Sequence, residues 1–158
     1  MSGKEKTNAT RKLDSLKIVY QDYSYGDGEA VSATEVARIL KQPEDHVFKT
    51  LVTEGKSGNH YVFMIPAAEE LDLKKAASAV GEKSVAMIKS KELLPLTGYI
   101  HGGCSPVGMK KQFRTVIHQT AESFPSILCS GGKIGYQIEL SLEELRRALP
   151  IESADLIR

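Results

Sequence analysis

A chain of 158 residues with 41% apolar side chains suits one domain built around a single sizeable core. A net charge of +1 excludes the broad basic surface of a protein that wraps duplex DNA, but it leaves room to grip a few phosphates at an RNA end. The first ten residues are polar, no apolar run nears the roughly 20 residues of a bilayer span, and two cysteines cannot make a disulfide framework. These features predict a cytoplasmic protein without membrane contact.

Residues 1–6 read as a frayed tail and residues 7–158 as one domain, since no repeat, low-complexity tract or linker interrupts them. Thr7 or Asn8 can cap a first helix, because Ala9, Leu13 and Leu16 recur at helical spacing. Val19–Tyr25 predicts a strand, broken by Gly26-Asp27-Gly28. Ser32 and Glu35 make a Ser-x-x-Glu capping box before Val36, Ile39 and Leu40, which predicts a helix over 33–41. His46–Thr53 follows as a strand, and Gly55-Lys56-Ser57-Gly58-Asn59 turns it back into Tyr61–Ile65. Asp72 can cap a third helix ending at Gly81, Ser84–Ile88 predicts a short strand, and Ser90 starts a helix stopping at Pro95.

Three more short strands are predicted at Gly98–Ile100, Thr115–His118 and Ser126–Ser130. Gly131 to Gly135 turns the last of these into Tyr136–Leu140. Ser141 with Glu144 makes another capping box, for a final helix closing at Pro150. Strands outnumber helices and hairpins recur. The expected class is therefore α/β (α+β), with a mixed, curled sheet and helices packed outside it.

Two features carry chemistry. Lys49 stands in Val47-Phe48-Lys49-Thr50-Leu51-Val52, a strand with no obvious solvent face, where an unpaired ammonium is costly. Its tip either snorkels to water or lines a pocket for an anionic or carbonyl-bearing ligand. Gly102-Gly103-Cys104-Ser105-Pro106-Val107-Gly108 bares several backbone N–H groups. It reads as a plain turn, as an anion or oxyanion cradle, or as the seat of a thiol nucleophile activated by His101. The last is poorly supported, since catalytic cysteine and histidine are seldom neighbours in sequence, and Cys104 suits a small buried filler.

Weaker signals surround these two. Gly55-Lys56-Ser57 imitates the end of a phosphate-binding loop, but Thr50 occupies the place of the required earlier glycine. No Cys-x-x-Cys or His-x-x-x-His spacing occurs, so no metal is expected, and no cofactor either. Lys110, Lys111 and Arg114 cluster after the glycine loop, as either a solvated patch or a phosphate contact. Ser130-Gly131-Gly132-Lys133 makes a hairpin tip that can add an N–H donor and a charge.

Three segments in register, Val47 to Leu51, Gly98 to Gly108 and Ser130 to Lys133, resemble the YbaK/EbsC family over nearly the whole chain, down to Ala154-Asp155-Leu156-Ile157. That family includes the stand-alone Cys-tRNA(Pro) deacylase and the editing domain inserted in bacterial prolyl-tRNA synthetase. The resemblance implies a single domain around a barrel-like mixed sheet, and hydrolysis in trans of the ester on mischarged tRNA, with Cys-tRNA(Pro) as substrate. It implies that Lys49 is the active-site lysine and that Gly102 to Pro106 form the family's Gly-x-x-x-Pro loop, with amides at Gly102 and Gly103 stabilising the oxyanion and Ser105 and Pro106 beside the substrate.

The same resemblance implies that Tyr20, Thr50 and Ser130 line the pocket, while Lys110, Lys111, Arg114 and Lys133 meet RNA. It implies no protein nucleophile: the substrate's own thiol, or a water, attacks the carbonyl. Two positions depart from the pattern. Gln137 stands where the cysteine-specific relatives tend to carry an acid, and Cys104 where an aliphatic residue is usual. The implied partners are an aminoacylated tRNA end and prolyl-tRNA synthetase; the rival is a non-catalytic module that binds either one.

Overall fold

The computed structural model describes residues 6–26 and 31–158. Of the expected tail only Lys6 falls within them, and of the expected break after the first strand only Gly26 does. Among the described residues there are five α-helices and eight β-strands.

Helix α1 (Asn8–Ser15) opens where its cap predicts. Thr7 accepts from the Thr10 N–H, and Thr10 bonds back to the Thr7 backbone. Ala9 and Leu13 face inward, whereas Leu16 is already the C-cap and half open to water. Strand β1 is confined to Gln21–Ser24, since Val19 is 77% exposed and has no face to bury. Helix α2 (Ala33–Leu40) is capped by Ser32, which accepts from the Glu35 N–H, while the Glu35 carboxylate turns to Arg38 instead of closing the box. Strands β2 (Phe48–Gly55) and β3 (His60–Pro66) form the expected antiparallel hairpin. Helix α3 (Leu73–Val80) runs from an Asp72 cap to Gly81 in the left-handed region.

Strand β4 (Val85–Met87) leads to α4 (Ser90–Thr97), which passes through Pro95 instead of stopping there. A proline forfeits one N–H bond to the residue four before it, here Lys91, and the helix ends two residues later at Thr97 in any case, with Gly98 as its cap. The strand expected at Gly98–Ile100 is absent. The Tyr99 N–H donates to Thr97 Oγ1 and the Gly103 N–H to Ile100 O, so local partners take the groups that a ladder would need. Strand β5 (Arg114–His118) and the hairpin of β6 (Ile127–Lys133) and β7 (Tyr136–Leu140) follow, then α5 (Leu142–Ala148) and β8 (Ile151–Ala154). Strand β8 has no counterpart among the sequence expectations.

The strands form two sheets, β1-β7-β6 and β4-β2-β3-β5-β8. In the larger sheet β3 pairs with β5, and β5 with β8, in parallel; the remaining pairs are antiparallel. The expected mixed α/β domain is the fold observed, with its strands in two sheets that do not close into a barrel. Among the described residues a single bridge, Val47 to Leu128, joins the two sheets. Beyond it side chains fill the gap between them, with Phe48, Met64, Tyr136 and Ile138 in one buried cluster that also takes Ala9 and Leu13 of α1.

Gly108 shows how tightly this arrangement is set. Its φ is +76°, and a Cβ there would lie 2.6 Å from Asn8 O, at the start of α1. Substitution Gly108→Ala should destabilise the fold by about 2–4 kcal/mol, from left-handed strain plus overpacking against backbone. Urea denaturation checks this, with a change below 1 kcal/mol contradicting it.

Candidate active site

A cavity of about 360 Å³ opens between the two sheets, under the start of α2 and the start of α4. Strand β2 supplies one wall. It pairs with β3 along its length, Lys49 opposite Ile65, and with β4 at its far end, Thr53 to Gly55. The Lys49 side chain is half-buried and lines the cavity. Burial lowers its pKa from the ordinary lysine value, and the more distant Glu70 and Glu69 restore only part of the shift. Among the described residues no carboxylate lies within 4 Å of its ammonium.

The facing wall comes from the small sheet. Ser130 on β6 pairs with Gln137 on β7, and both line the cavity. Strand β7 is central in its sheet, flanked by β1 and β6. Gln137 is only 7% exposed, yet its Oε1 has no hydrogen-bond partner among the described residues, and neither has the buried Oγ1 of Thr50. Buried polar atoms are usually paired, because an unmet one costs roughly 1–3 kcal/mol. Two such atoms in the lining of one cavity can take a hydrogen bond from water or from a ligand there.

The glycine loop closes the third side through Gly102, which has φ +88°, together with His101 and Cys104. The Gly102 N–H has no acceptor among the described residues, whereas the Gly103 N–H donates to Ile100 O at 3.0 Å. Gly103 is required for another reason: a Cβ there would sit 2.9 Å from the backbone of Lys133 and Ile134. The loop thus rests directly on the β6–β7 hairpin.

The structure brings Lys49, Thr50, Gly102, Ser130 and Gln137 together and leaves other expected positions away from the cavity. Tyr20 is buried in the main core, and its phenol donates to Asp14 Oδ1 at 3.2 Å; burial and that carboxylate hold it protonated. Ser105 is fully buried and caps the turn by accepting from the Val107 N–H, and Pro106 is buried beside it. Gly103 faces the hairpin. Arg114 forms an ion pair with Glu152, with Nε to Oε1 at 2.7 Å, and reaches the carbonyls of Val80 and Ala79.

Lys110 reaches Pro95 O at the end of α4, and Lys111 lies 5.8 Å from the centre of the Phe113 ring. Lys133 ends β6, beside Gly103. Tyr25, Met87 and Lys89 line the cavity without having been singled out in sequence. Tyr25 carried the sole legible signal, an aromatic at a strand end.

Burial pushes the Cys104 thiol up to about 12, so it stays protonated at neutral pH and is a poor nucleophile. Among the described residues no cluster of His, Cys, Asp or Glu is arranged to hold a metal, and no helix is long and apolar enough to cross a membrane.

The family model of the aminoacyl-tRNA editing domain matches residues 27–148. The chain belongs to that family. This editing domain is 46% identical, over 89% of its length and 87% of the other's, to an Enterococcus faecalis protein assigned as the Cys-tRNA(Pro)/Cys-tRNA(Cys) deacylase EbsC. It is also 28% identical over 65% of its length to the proline–tRNA ligase of Kosmotoga olearia, of which it spans 17%. A solved structure assigned as a trans-editing enzyme for prolyl-tRNA synthetase superposes over 98% of the editing domain and 99% of its own chain, with a TM-score of 0.85 at 23% identity. The fold implied by the resemblance is thus the fold observed, apart from the open sheets.

Cys129 is fully buried with its thiol also raised to about 12. Both cysteines of the native editing domain should therefore resist iodoacetamide at pH 7.5 and react fully once unfolded in guanidinium. Mass spectrometry of the modified protein reads this, and rapid native labelling of Cys104 would contradict it. Because burial disfavours the Lys49 ammonium, Lys49→Met should leave the melting temperature unchanged or raised; a clear fall would show that the lysine is structural.

Proposed function

We propose that this editing domain deacylates mischarged tRNA in trans in the cytoplasm, with Cys-tRNA(Pro) as its substrate. One observation carries the proposal. A poorly hydrated ammonium, a bare backbone amide and two unpartnered polar atoms converge on one cavity, at Lys49, Gly102, Thr50 and Gln137. An aminoacyl ester is already activated, so hydrolysis needs the ester positioned and its developing oxyanion stabilised, not a covalent relay through the protein.

In this scheme a water, or the thiol of a cysteinyl substrate, attacks the ester carbonyl. The carbonyl oxygen gains charge against Lys49 and the Gly102 N–H. The tetrahedral centre then collapses, the bond to the ribose oxygen breaks, and that oxygen takes the proton shed by the attacking water or thiol; attack by the thiol leaves a cyclic thioester that water then opens. Desolvation strengthens the attraction between Lys49 and the oxyanion, since the effective dielectric is low there. Thr50, Ser130 and Gln137 fix the amino acid, and Gln137 does so without a charge. A protonated Cys104 takes no part.

Lys110, Lys111 and Lys133 are proposed to meet the tRNA backbone, while Arg114 is committed to Glu152. With a net charge of +1, the domain has little field to attract the tRNA body, so prolyl-tRNA synthetase is proposed to deliver the charged end.

The test is a deacylation panel across charged tRNAs. Lys49→Ala should lower kcat/KM by about 10²–10³-fold, the range for losing one oxyanion donor, with the circular dichroism spectrum unchanged. Cys104→Ala should stay within about threefold of the parent. Full activity in Lys49→Ala would remove the proposed mechanism. Tight binding of charged tRNA without hydrolysis of any ester would make the domain a recognition module instead.

A further inference from the structure

We propose that Tyr99 is the positioning residue of the glycine loop: its hydroxyl holds residues 99–107 in the shape that presents the Gly102 N–H to the cavity. This rests on the deacylation proposed above, in which that N–H meets the developing oxyanion, and it names the group that aims it. Tyr99 lies outside the lining of the cavity, so it acts through the loop and not on the substrate.

The Tyr99 side chain is 4% exposed, and both its ring and its hydroxyl are engaged. The hydroxyl donates to Val107 O at 2.6 Å and accepts from the Ala9 N–H, in the first turn of α1. That N–H is one of the donors an α-helix leaves unmet at its start, so one phenol fastens both the helix and the end of the loop. The ring lies beside β6, where a Cβ on Gly132 would stand 3.2 Å from Tyr99 Cε1. At the backbone, the Tyr99 N–H donates to Thr97 Oγ1 at 3.0 Å, and Thr97 Oγ1 donates in turn to Leu93 O in α4. One residue thus connects α4, α1, β6 and the far end of its own loop.

Gly102 sits inside the span that this bond closes. The chain from Tyr99 to Val107 is shut into a ring by the phenol, and within it the Gly103 N–H donates to Ile100 O and the Val107 N–H to Ser105 Oγ. On one side of Gly102, Gly103 rests on the backbone of Lys133 and Ile134 with no room for a Cβ. On the other side stand the bonds of Tyr99. Gly102 has φ +88°, and glycine is the residue least confined by its own sterics, so its amide points where the neighbours direct it.

A phenylalanine would fill the same space. What the hydroxyl adds is a donor for Val107 O, since Val107 is fully buried and an unmet carbonyl there is costly. Burial, with the Cys104 and Cys129 thiols nearby, holds the phenol protonated, so it donates throughout the neutral range. An oxyanion donor acts in the transition state, so its displacement lowers kcat and leaves KM almost unchanged. Misplacement by about 1 Å can cost on the order of 10²-fold.

The experiment compares Tyr99→Phe with the parent by steady-state hydrolysis of charged tRNA and by backbone amide NMR of the free protein. Tyr99→Phe should lower kcat about 10–100-fold, hold KM within about threefold, and do so by the same factor from about pH 6.5 to pH 8.5. It should also shift the Gly102 and Gly103 amide resonances. Site-specific p-aminophenylalanine at position 99 keeps a donor towards Val107 O and should restore kcat to within about fivefold of the parent. Leu142→Ala, in the main core and outside the cavity lining, should lower stability while leaving kcat within about threefold and the Gly102 resonance in place.

An unchanged kcat in Tyr99→Phe, beside an active parent, overturns the positioning role and leaves the deacylase standing. An equal fall in Leu142→Ala overturns it too, because the loss would then be one of general stability. A shifted pH profile would make Tyr99 a proton-transfer group instead. If Tyr99→Phe fails to fold, the aniline variant decides, since inactivity despite the retained donor contradicts the proposal. Should the parent hydrolyse no charged tRNA, the deacylase falls and the Gly102 resonance alone decides: unmoved in Tyr99→Phe it overturns the aiming of the loop, moved and then restored by the aniline it upholds it.

Discussion

Lys49 stands where water reaches it only in part and where, among the described residues, no carboxylate lies at ion-pair distance, and much of the molecule serves to keep it there. A free lysine chain would swing outward to recover its hydration. Here Lys49 pairs with Ile65 of β3, and β4 grips the far end of the same strand, so the stem leaves the backbone at a set place. Glu70 and Glu69 supply a weak field that favours the ammonium without pairing with it. A closer acid would satisfy the lysine and cancel its use towards a ligand. An apolar cavity without any acid would drive the charge off at neutral pH.

The opening between the two sheets follows from the same economy of contacts. Among the described residues only Val47 and Leu128 form a bridge across, and Phe48 with Tyr136 and Ile138 fills the deeper part of the gap. Where the filling stops, the cavity begins. Thr50 and Gln137 come from β2 and β7, each interior to its sheet, so their atoms without a partner among the described residues are held on separate walls. That fixed misfit between walls is the preorganisation that an ester-cleaving site needs, and the buried core contacts around it offset its cost in stability.

Legibility in the sequence tracked how local each interaction is. The caps at Thr7, Ser32, Asp72 and Ser141 all hold, because a hydroxyl or carboxylate two or three residues from an open N–H needs no tertiary help. Lys49 stood out because a charge in an apolar strand has few explanations. Gly98–Ile100 was misread as a strand because side-chain and turn bonds compete for its backbone, which composition does not reveal. Strand β8 escaped because its pairing with β5 is parallel and joins residues as far apart as Thr115 and Ile151, so nothing near it announces a partner. Tyr20 and Tyr25 are neighbours in one short segment, and alternation alone does not say which ring meets the core and which the cavity.

The hydroxyl of Thr7 does two jobs at once. It caps α1 and donates to Gly131 O at 2.6 Å, on the irregular stretch of β6 just after Ser130. The ordering of the amino-terminal turn is thereby mechanically tied to the shape of the cavity wall more than a hundred residues away. An affinity tag or a leader that strains this turn is felt at the wall, so activity measured on tagged protein reports on the fusion as well as on the site.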